Sequence, residues 1–126
     1  MRPVLAAAVS VVLMALAGTA GAAEPGCIDP AGGASLADTR WIGTSEWQGL
    51  AANPMTLHLR PDCTVEYVSK GVTYANGTWL QRGALVEWQA NDRFAVYVGQ
   101  VGEGQIGGVM YNRRGQTGVW RFKRAD

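Results

Sequence analysis

Polar and apolar residues alternate in short runs along nearly the whole chain from residue 38 onward. In the run 55–59, Met55, Leu57 and Leu59 alternate with Thr56 and His58. Successive side chains of a β-strand point to opposite faces, so a period of two indicates strands with one buried face. Eight such runs predict these inward-facing residues: Trp41, Gly43, Ser45, Trp47, Met55, Leu57, Leu59, Cys63, Val65, Tyr67, Gly77, Trp79, Val86, Trp88, Phe94, Val96, Val98, Ile106, Gly108, Met110, Gly118, Trp120 and Phe122. In the run 94–101 the register stays open, because Tyr97 is an alternative inward-facing residue.

Short polar and glycine-rich segments separate the runs, such as RPDC at 60–63 and NRRGQT at 112–117. They are typical of hairpin connections. Beyond residue 23 no window shows the apolar spacing of a helix, so the crossovers of a parallel sheet are missing. A sandwich is the alternative, but a meander without a long return connection favours a barrel. We predict an all-β fold, a single antiparallel up-and-down β-barrel of about eight strands over residues 38–124.

The first 23 residues have the pattern of a secretory signal peptide. A basic start at Arg2 precedes an apolar run from Val4 to Ala17, and small residues around Ala22 offer a cleavage site. The run is short for a membrane span. We therefore predict that residues 1–23 are a signal peptide and that the mature protein is periplasmic or secreted, with a composition typical of bacteria.

Residues 24–37 are rich in Gly, Pro and Ala and are predicted to form an irregular leader ahead of the barrel. The leader contains Cys27, and the only other cysteine is Cys63. In an oxidising compartment, an even pair predicts one disulfide between Cys27 and Cys63. A free reactive thiol or a metal site built on both cysteines is the alternative.

The charge of the chain is nearly balanced, with 11 Lys and Arg against 10 Asp and Glu and a net charge of +1. Removal of a signal segment containing Arg2 makes the two numbers equal. A chain of this kind lacks the positive field that would attract nucleic acids or anionic membranes. We therefore expect neither nucleic acid nor a membrane as a partner.

The sequence GEGQIGG at 102–108 has the glycine spacing of dinucleotide-binding loops. Such a loop requires a strand before the glycines and a helix after them. Here a strand-like run follows, so we interpret Gly102 and Gly104 as a hairpin turn that needs positive φ. Gly99, Gly107 and Gly108 are then positions where the barrel coils sharply or a bulky neighbour lies across the strand. No cofactor is predicted.

Residues suited to catalysis are few and scattered. His58 is the only histidine, and the alternation places it opposite Leu57 and Leu59. Glu46 and Glu66 are expected to point outward, and no triad or three-ligand metal set is apparent. We therefore do not expect the protein to be an enzyme. An enzymatic function is less favoured than ligand binding or interaction with a protein partner.

Aromatic residues dominate the face predicted to point inward. They can simply fill the small barrel, or they can form the walls of a pocket in which positions such as Gly43 and Ser45 leave space. On the second interpretation, the predicted ligand-binding residues are Trp41, Ser45, Tyr67, Trp79, Trp88 and Trp120.

DTRWIGT at 38–44, the meander, and YNRRGQTGVWRFKR at 111–124 together resemble the calycin group of lipocalin-like and avidin-like barrels. Lipocalins place a glycine two residues before the first-strand Trp, where this chain has Thr39. The arginine that partners this Trp would be Arg121 or Arg124. No biotin-binding residues can be matched. The resemblance implies a barrel whose open end binds a small hydrophobic molecule.

The preferred function is therefore the binding of a small apolar or aromatic ligand in the barrel. The alternative is an exported protein-interaction module, resembling an inhibitor, that acts through an exposed loop. The natural loop is the longest connection, residues 48–54, which begins at Gln48 and ends at Pro54.

Overall fold

The computed structural model describes residues 26–29 and 33–126. The predicted signal peptide, 1–23, lies outside these residues. The described part forms nine strands: β1 (Ile28–Asp29), β2 (Thr39–Trp47), β3 (Asn53–Leu59), β4 (Thr64–Ser69), β5 (Val72–Arg82), β6 (Leu85–Ala90), β7 (Ala95–Gly102), β8 (Gln105–Asn112) and β9 (Thr117–Arg124). Within residues 26–29 and 33–126 no helix has the length and apolar character needed to cross a bilayer.

Strands β2 to β9 form a closed antiparallel barrel in which each strand pairs with the next along the chain. Strand β2 pairs with β9 and closes the sheet, with Trp41 opposite Arg124 and Trp47 opposite Gly118. The eight-stranded up-and-down barrel predicted from the alternation is therefore confirmed, as is the architecture that a calycin-like barrel implies. Closure leaves none of these eight strands with an unpaired edge.

The leader closes one end of the barrel. Its two-residue strand β1 runs parallel to β5, with Ile28 opposite Gln81, and Ile28 and Leu36 are both buried in the core. A disulfide joins Cys27 to Cys63, with 5.8 Å between their Cα atoms, so the predicted pairing is confirmed. A bond of this kind is typical of proteins from an oxidising environment.

Gln81 fastens the leader to the closed end from inside the barrel, where it is 1% exposed. Its Oε1 accepts a hydrogen bond from the Leu36 amide at 3.0 Å. Its Nε2 donates to the carbonyl oxygens of Ala34 and Gly83, each at 3.0 Å. All polar atoms of this buried amide group are thereby paired, which makes its burial tolerable.

Strand β7 resolves a register that the sequence left ambiguous, because residues 94–101 are apolar on both faces. Ala95 and Tyr97 point inward and are each 5% exposed. Val96 and Val98, predicted to face inward, are half-buried on the outer face. The structure selects the register with Tyr97 inward, which brings an additional aromatic ring into the barrel.

The segment GEGQIGG forms the hairpin between β7 and β8, with Gly102 opposite Gln105. Gly104 adopts a φ of 64° in the turn. Gly102 is not at positive φ, so that part of the prediction was wrong. Gly99 lies under the indole of Trp120, whose Cζ2 would be 2.8 Å from a Cβ at this position. The prediction that a bulky neighbour crosses the strand is confirmed here.

Candidate functional site

A cavity of about 850 Å³ occupies the end of the barrel opposite the disulfide. This open end carries the connections β2–β3, β4–β5, β6–β7 and β8–β9, since alternate hairpins of a meander lie at the same end. The deep part of the cavity is lined by buried, inward-facing residues from five strands: Ser45, Met55, Tyr67, Ala90, Ala95 and Tyr97. The rim is formed by Trp47, Leu50, Ala51, Ala52, Asn53, Ser69, Lys70, Tyr74, Asn91, Phe94, Asn112, Arg114 and Gln116.

Below the cavity the barrel is filled. Tyr97, which lines the cavity, stacks on Trp88 with ring centroids 3.7 Å apart. Trp88 is 0% exposed and makes edge contacts with Trp120 and Phe122, at centroid distances of 6.2 and 6.4 Å. Interlocked rings of this kind leave little room for rearrangement, so the floor of the cavity is rigid.

Tyrosines form much of the cavity wall. Tyr67 stacks on Tyr74 with centroids 5.0 Å apart, and its hydroxyl donates a hydrogen bond to Asn76 Oδ1 at 3.2 Å. Asn76 Oδ1 also accepts from the Asn91 amide at 3.3 Å, which links the wall to the β6–β7 loop. This network fixes the position of the Tyr67 ring in the cavity wall.

Both buried tyrosine hydroxyls stay protonated in the neutral pH range. Burial raises the pKa of Tyr97 from 10.0 to about 12, and the neighbouring Tyr67 adds to the effect. Burial also raises the pKa of Tyr67. Near these rings, the Ser45 hydroxyl donates to Met55 Sδ at 3.1 Å. The deep cavity therefore offers neutral hydroxyl groups and a thioether on an otherwise apolar surface.

The rim differs in charge from the deep cavity. Lys70 and Arg114 line it, and no Asp or Glu does so among the described residues. Arg114 is in the β8–β9 loop, where the buried Asn112 accepts hydrogen bonds through Oδ1 from the amides of Arg114 at 2.9 Å and Gln116 at 3.2 Å. Asn112 Nδ2 also donates to Gln116 Oε1 at 2.8 Å. The backbone that carries Arg114 is therefore held in place.

Of the six residues predicted to bind a ligand, Ser45 and Tyr67 line the cavity. Trp41, Trp79, Trp88 and Trp120 do not line it, and are packed at no more than 3% exposure. Three of these indoles donate to protein oxygens: Trp41 to Thr39 Oγ1 at 2.8 Å, Trp79 to the Arg60 carbonyl at 2.8 Å, and Trp120 to the Val109 carbonyl at 3.0 Å. Trp88 Nε1 has no hydrogen-bond partner within the described residues.

The glycines between the tryptophans do not create the cavity either. A Cβ at Gly43 would come within 2.6 Å of the Phe122 Cα, and one at Gly108 within 2.6 Å of the Gly99 Cα. These residues allow neighbouring strands to approach closely. The space at the open end arises instead because the inward-facing residues there include Ser45, Ala90 and Ala95, which are small.

Sequence reasoning missed several cavity residues, of which Tyr97 and Arg114 are the most informative. Tyr97 could have been found only by choosing the other register of β7. Arg114 lies in a segment recognised as a turn, and its sequence NRRGQT does not say which arginine faces the cavity.

The polar residues considered for catalysis do not gather at the cavity. His58 Nε2 lies 2.9 Å from Asp38 Oδ1 on the outer surface near the closed end. Over residues 26–29 and 33–126, no three His, Cys, Asp or Glu side chains form a group that could hold a metal ion.

A second depression, of about 520 Å³, lies outside the barrel over β2, β8 and β9. Its lining includes the exposed side chains of Val109, Tyr111 and Val119. The barrel cavity differs from this surface groove because its inner wall includes buried aromatic residues, Tyr67 and Tyr97, and small ligands are generally held in concave sites with such walls.

Comparison of the chain with models of known protein families, with curated protein sequences and with solved structures finds no match.

Proposed function

We propose that this protein is an exported, calycin-like barrel that binds a small, largely apolar ligand in the cavity at its open end. The observation that carries the proposal is the cavity of about 850 Å³ with buried aromatic walls. Protein sites for small molecules commonly have volumes of about 300 to 1,000 Å³, with apolar and aromatic walls and a few polar groups. Tyr67, Tyr97 and Met55 supply such walls, and Ser45 supplies a polar point.

Rigidity of the floor supports the proposal. Because Tyr97 is backed by the fully buried Trp88, a ligand resting on Tyr97 meets a surface that is already ordered. Binding to a preformed surface avoids much of the entropy cost of ordering side chains.

Export is supported by the signal-like residues 1–23 and by the disulfide of Cys27 and Cys63. The proposed binding function involves no catalytic step.

The test is binding of the uncharged fluorescent probe N-phenyl-1-naphthylamine to the purified protein. We expect saturable fluorescence enhancement and a higher thermal midpoint, since a ligand that binds only the folded state stabilises it. Ala95→Phe should fill part of the cavity and reduce probe binding. Ala84→Phe, the same change in the exposed β5–β6 turn at the closed end, is the matched control.

Circular dichroism and the thermal midpoint of Ala95→Phe would show whether the variant is folded. If the folded Ala95→Phe protein binds the probe as the wild type does, the cavity is not the binding site. If the wild type binds neither this probe nor a range of small apolar compounds, the ligand-binding function is wrong.

The alternative function, a protein-interaction module, is favoured by one observation. Leu50, a large apolar residue of the loop 48–54, is 58% exposed and is therefore accessible to a protein partner. Loss of a copurifying protein partner in Leu50→Asp, together with a wild-type protein that binds no apolar probe, would support this function instead.

A further inference from the structure

We propose that the ligand is an anionic amphiphile, with its apolar part in the cavity and its negative group at the rim, beside Lys70 and Arg114. This inference depends on the proposed function and adds the chemical class of the ligand. Three observations support it: the residues that line the rim, the distribution of charge between the two ends of the barrel, and the lack of internal partners for the rim cations.

The first observation concerns the cavity lining. Its two charged residues are Lys70, in the β4–β5 turn, and Arg114, in the β8–β9 loop. The deep residues are uncharged, and the pKa of Tyr97 stays far above neutrality. A neutral apolar ligand would make no use of these two cations. An amphiphile with a negative group can place that group at the rim while its apolar part contacts Tyr67 and Tyr97.

The second observation is that the open end carries an excess of positive charge. Its connections carry four cations, Lys70, Arg93, Arg113 and Arg114, and one carboxylate, Asp92. The closed end is close to neutral, because its carboxylates are accompanied by Arg60 and by three arginines at strand ends, Arg40, Arg82 and Arg124. The near-neutral total of the chain therefore includes a positively charged mouth. Such a field draws anions toward the cavity and raises their association rate.

The third observation is that the rim cations are not neutralised internally. Two ion pairs occur among the described residues, His58 with Asp38 and Arg124 with Asp126, and both lie near the closed end. Arg113 is occupied differently, because its Nη2 donates to the Asp92 carbonyl at 3.0 Å. Lys70 and Arg114 have no carboxylate within ion-pair distance in this part of the chain. Each can therefore donate hydrogen bonds to a carboxylate, sulfonate or phosphate group.

The experiment compares dodecanoate, dodecyl phosphate and dodecanol as competitors of N-phenyl-1-naphthylamine, with the two anions below their micelle concentrations and the alcohol below its solubility limit. The three share an alkyl chain and differ in the polar group. We expect both anions to bind about ten-fold more tightly than the alcohol at low salt. The advantage should shrink when ionic strength rises from about 0.01 M to about 0.15 M, because the screening length falls from about 30 Å to about 8 Å. The ratio of the two anions distinguishes a carboxylate ligand from a phosphorylated one.

Lys70→Gln and Arg114→Gln test the rim directly. Each should weaken anion binding by about three- to ten-fold and change dodecanol binding much less. Lys123→Gln and Arg121→Gln, on exposed positions of β9 outside the cavity, remove the same charge and serve as matched controls. They should change anion binding much less.

The outcomes separate the two proposals. If probe and dodecanol bind but the anions have no advantage, or if the rim variants behave like the β9 controls, the anionic class is wrong and the cavity function stands. If neither an amphiphile nor the probe binds, the proposed binding of ligands in the cavity is wrong, and the proposed anionic class of the ligand is wrong as well.

Discussion

The rings of Trp88 and Tyr97 lie nearly parallel, with centroids 3.7 Å apart and 9° between their planes. Tyr97 lines the cavity at the open end, whereas Trp88 is 0% exposed and contacts the rings below it. The pair therefore marks the boundary between the half of the barrel that is open and the half that is packed.

Trp88→Ala should destabilise the protein by about 3 to 5 kcal/mol, because it removes a large ring from a fully packed site. Trp47→Ala should cost much less, since Trp47 is half-buried at the rim of the cavity. Urea unfolding followed by far-ultraviolet circular dichroism measures both. A Trp88→Ala protein as stable as Trp47→Ala would show that the lower half is loosely packed.

Alkaline pH should destabilise the protein through Tyr97. Its pKa is about 12 in the folded protein against 10.0 when unperturbed, so the unfolded state loses the proton first. The corresponding stability is fully present below pH 10 and is lost as pH rises through about 12. A shift of this size corresponds to about 3 kcal/mol. Unfolding free energies across this range should fall less steeply for Tyr97→Phe than for the wild type, and equal slopes would contradict the assignment.

Gln81→Ala should release the leader. The substitution leaves the Leu36 amide and the carbonyl of Ala34 without their buried partner. We expect a loss of about 2 to 4 kcal/mol and faster proteolysis of residues 33–38. Gln105→Ala, at an exposed position of β8, is the control and should change neither measurement.

Reduction of the disulfide should destabilise the barrel without abolishing its topology. Cys27 and Cys63 are 36 residues apart in sequence. In the chain-entropy model, closing a loop of this size contributes about 4 kcal/mol. The double variant Cys27→Ala, Cys63→Ala should show that loss in urea. Thiol titration of the denatured wild type should find no free thiol, and two thiols per chain would contradict the bond.

Arg124 covers Trp41 at the closed end, with its guanidinium carbon 5.5 Å from the ring centre. Of the two arginines that the calycin resemblance allowed, the structure places Arg124 against this Trp. Arg124→Lys should keep most of the interaction, whereas Arg124→Gln should lose about 0.5 to 1 kcal/mol. Chemical denaturation would detect the difference, and a Gln variant as stable as the wild type would leave the contact without a measurable role.

The residues by themselves were sufficient to predict the barrel. Side-chain direction alternates with every residue of a strand, so the runs around Trp41, Leu57 and Trp120 showed their buried face directly. The short turns between the runs ruled out crossovers, and an even cysteine pair behind a signal-like segment predicted the bond of Cys27 to Cys63. These features depend on the local geometry of the backbone or on the pairing of two cysteines, and the amino-acid sequence is sufficient to predict both.

What only the tertiary structure decided is how deep each inward-facing residue lies. Alternation assigns Trp88 and Tyr67 to the same interior, but it cannot tell packed core from cavity wall, because that depends on how neighbouring strands are staggered around the barrel. It also could not choose between Tyr97 and its valine neighbours, since both faces of β7 are apolar. The charge of the mouth depends in the same way on which turns meet at one end. Closure of the sheet brings Lys70 and Arg114, 44 residues apart in number, to one rim.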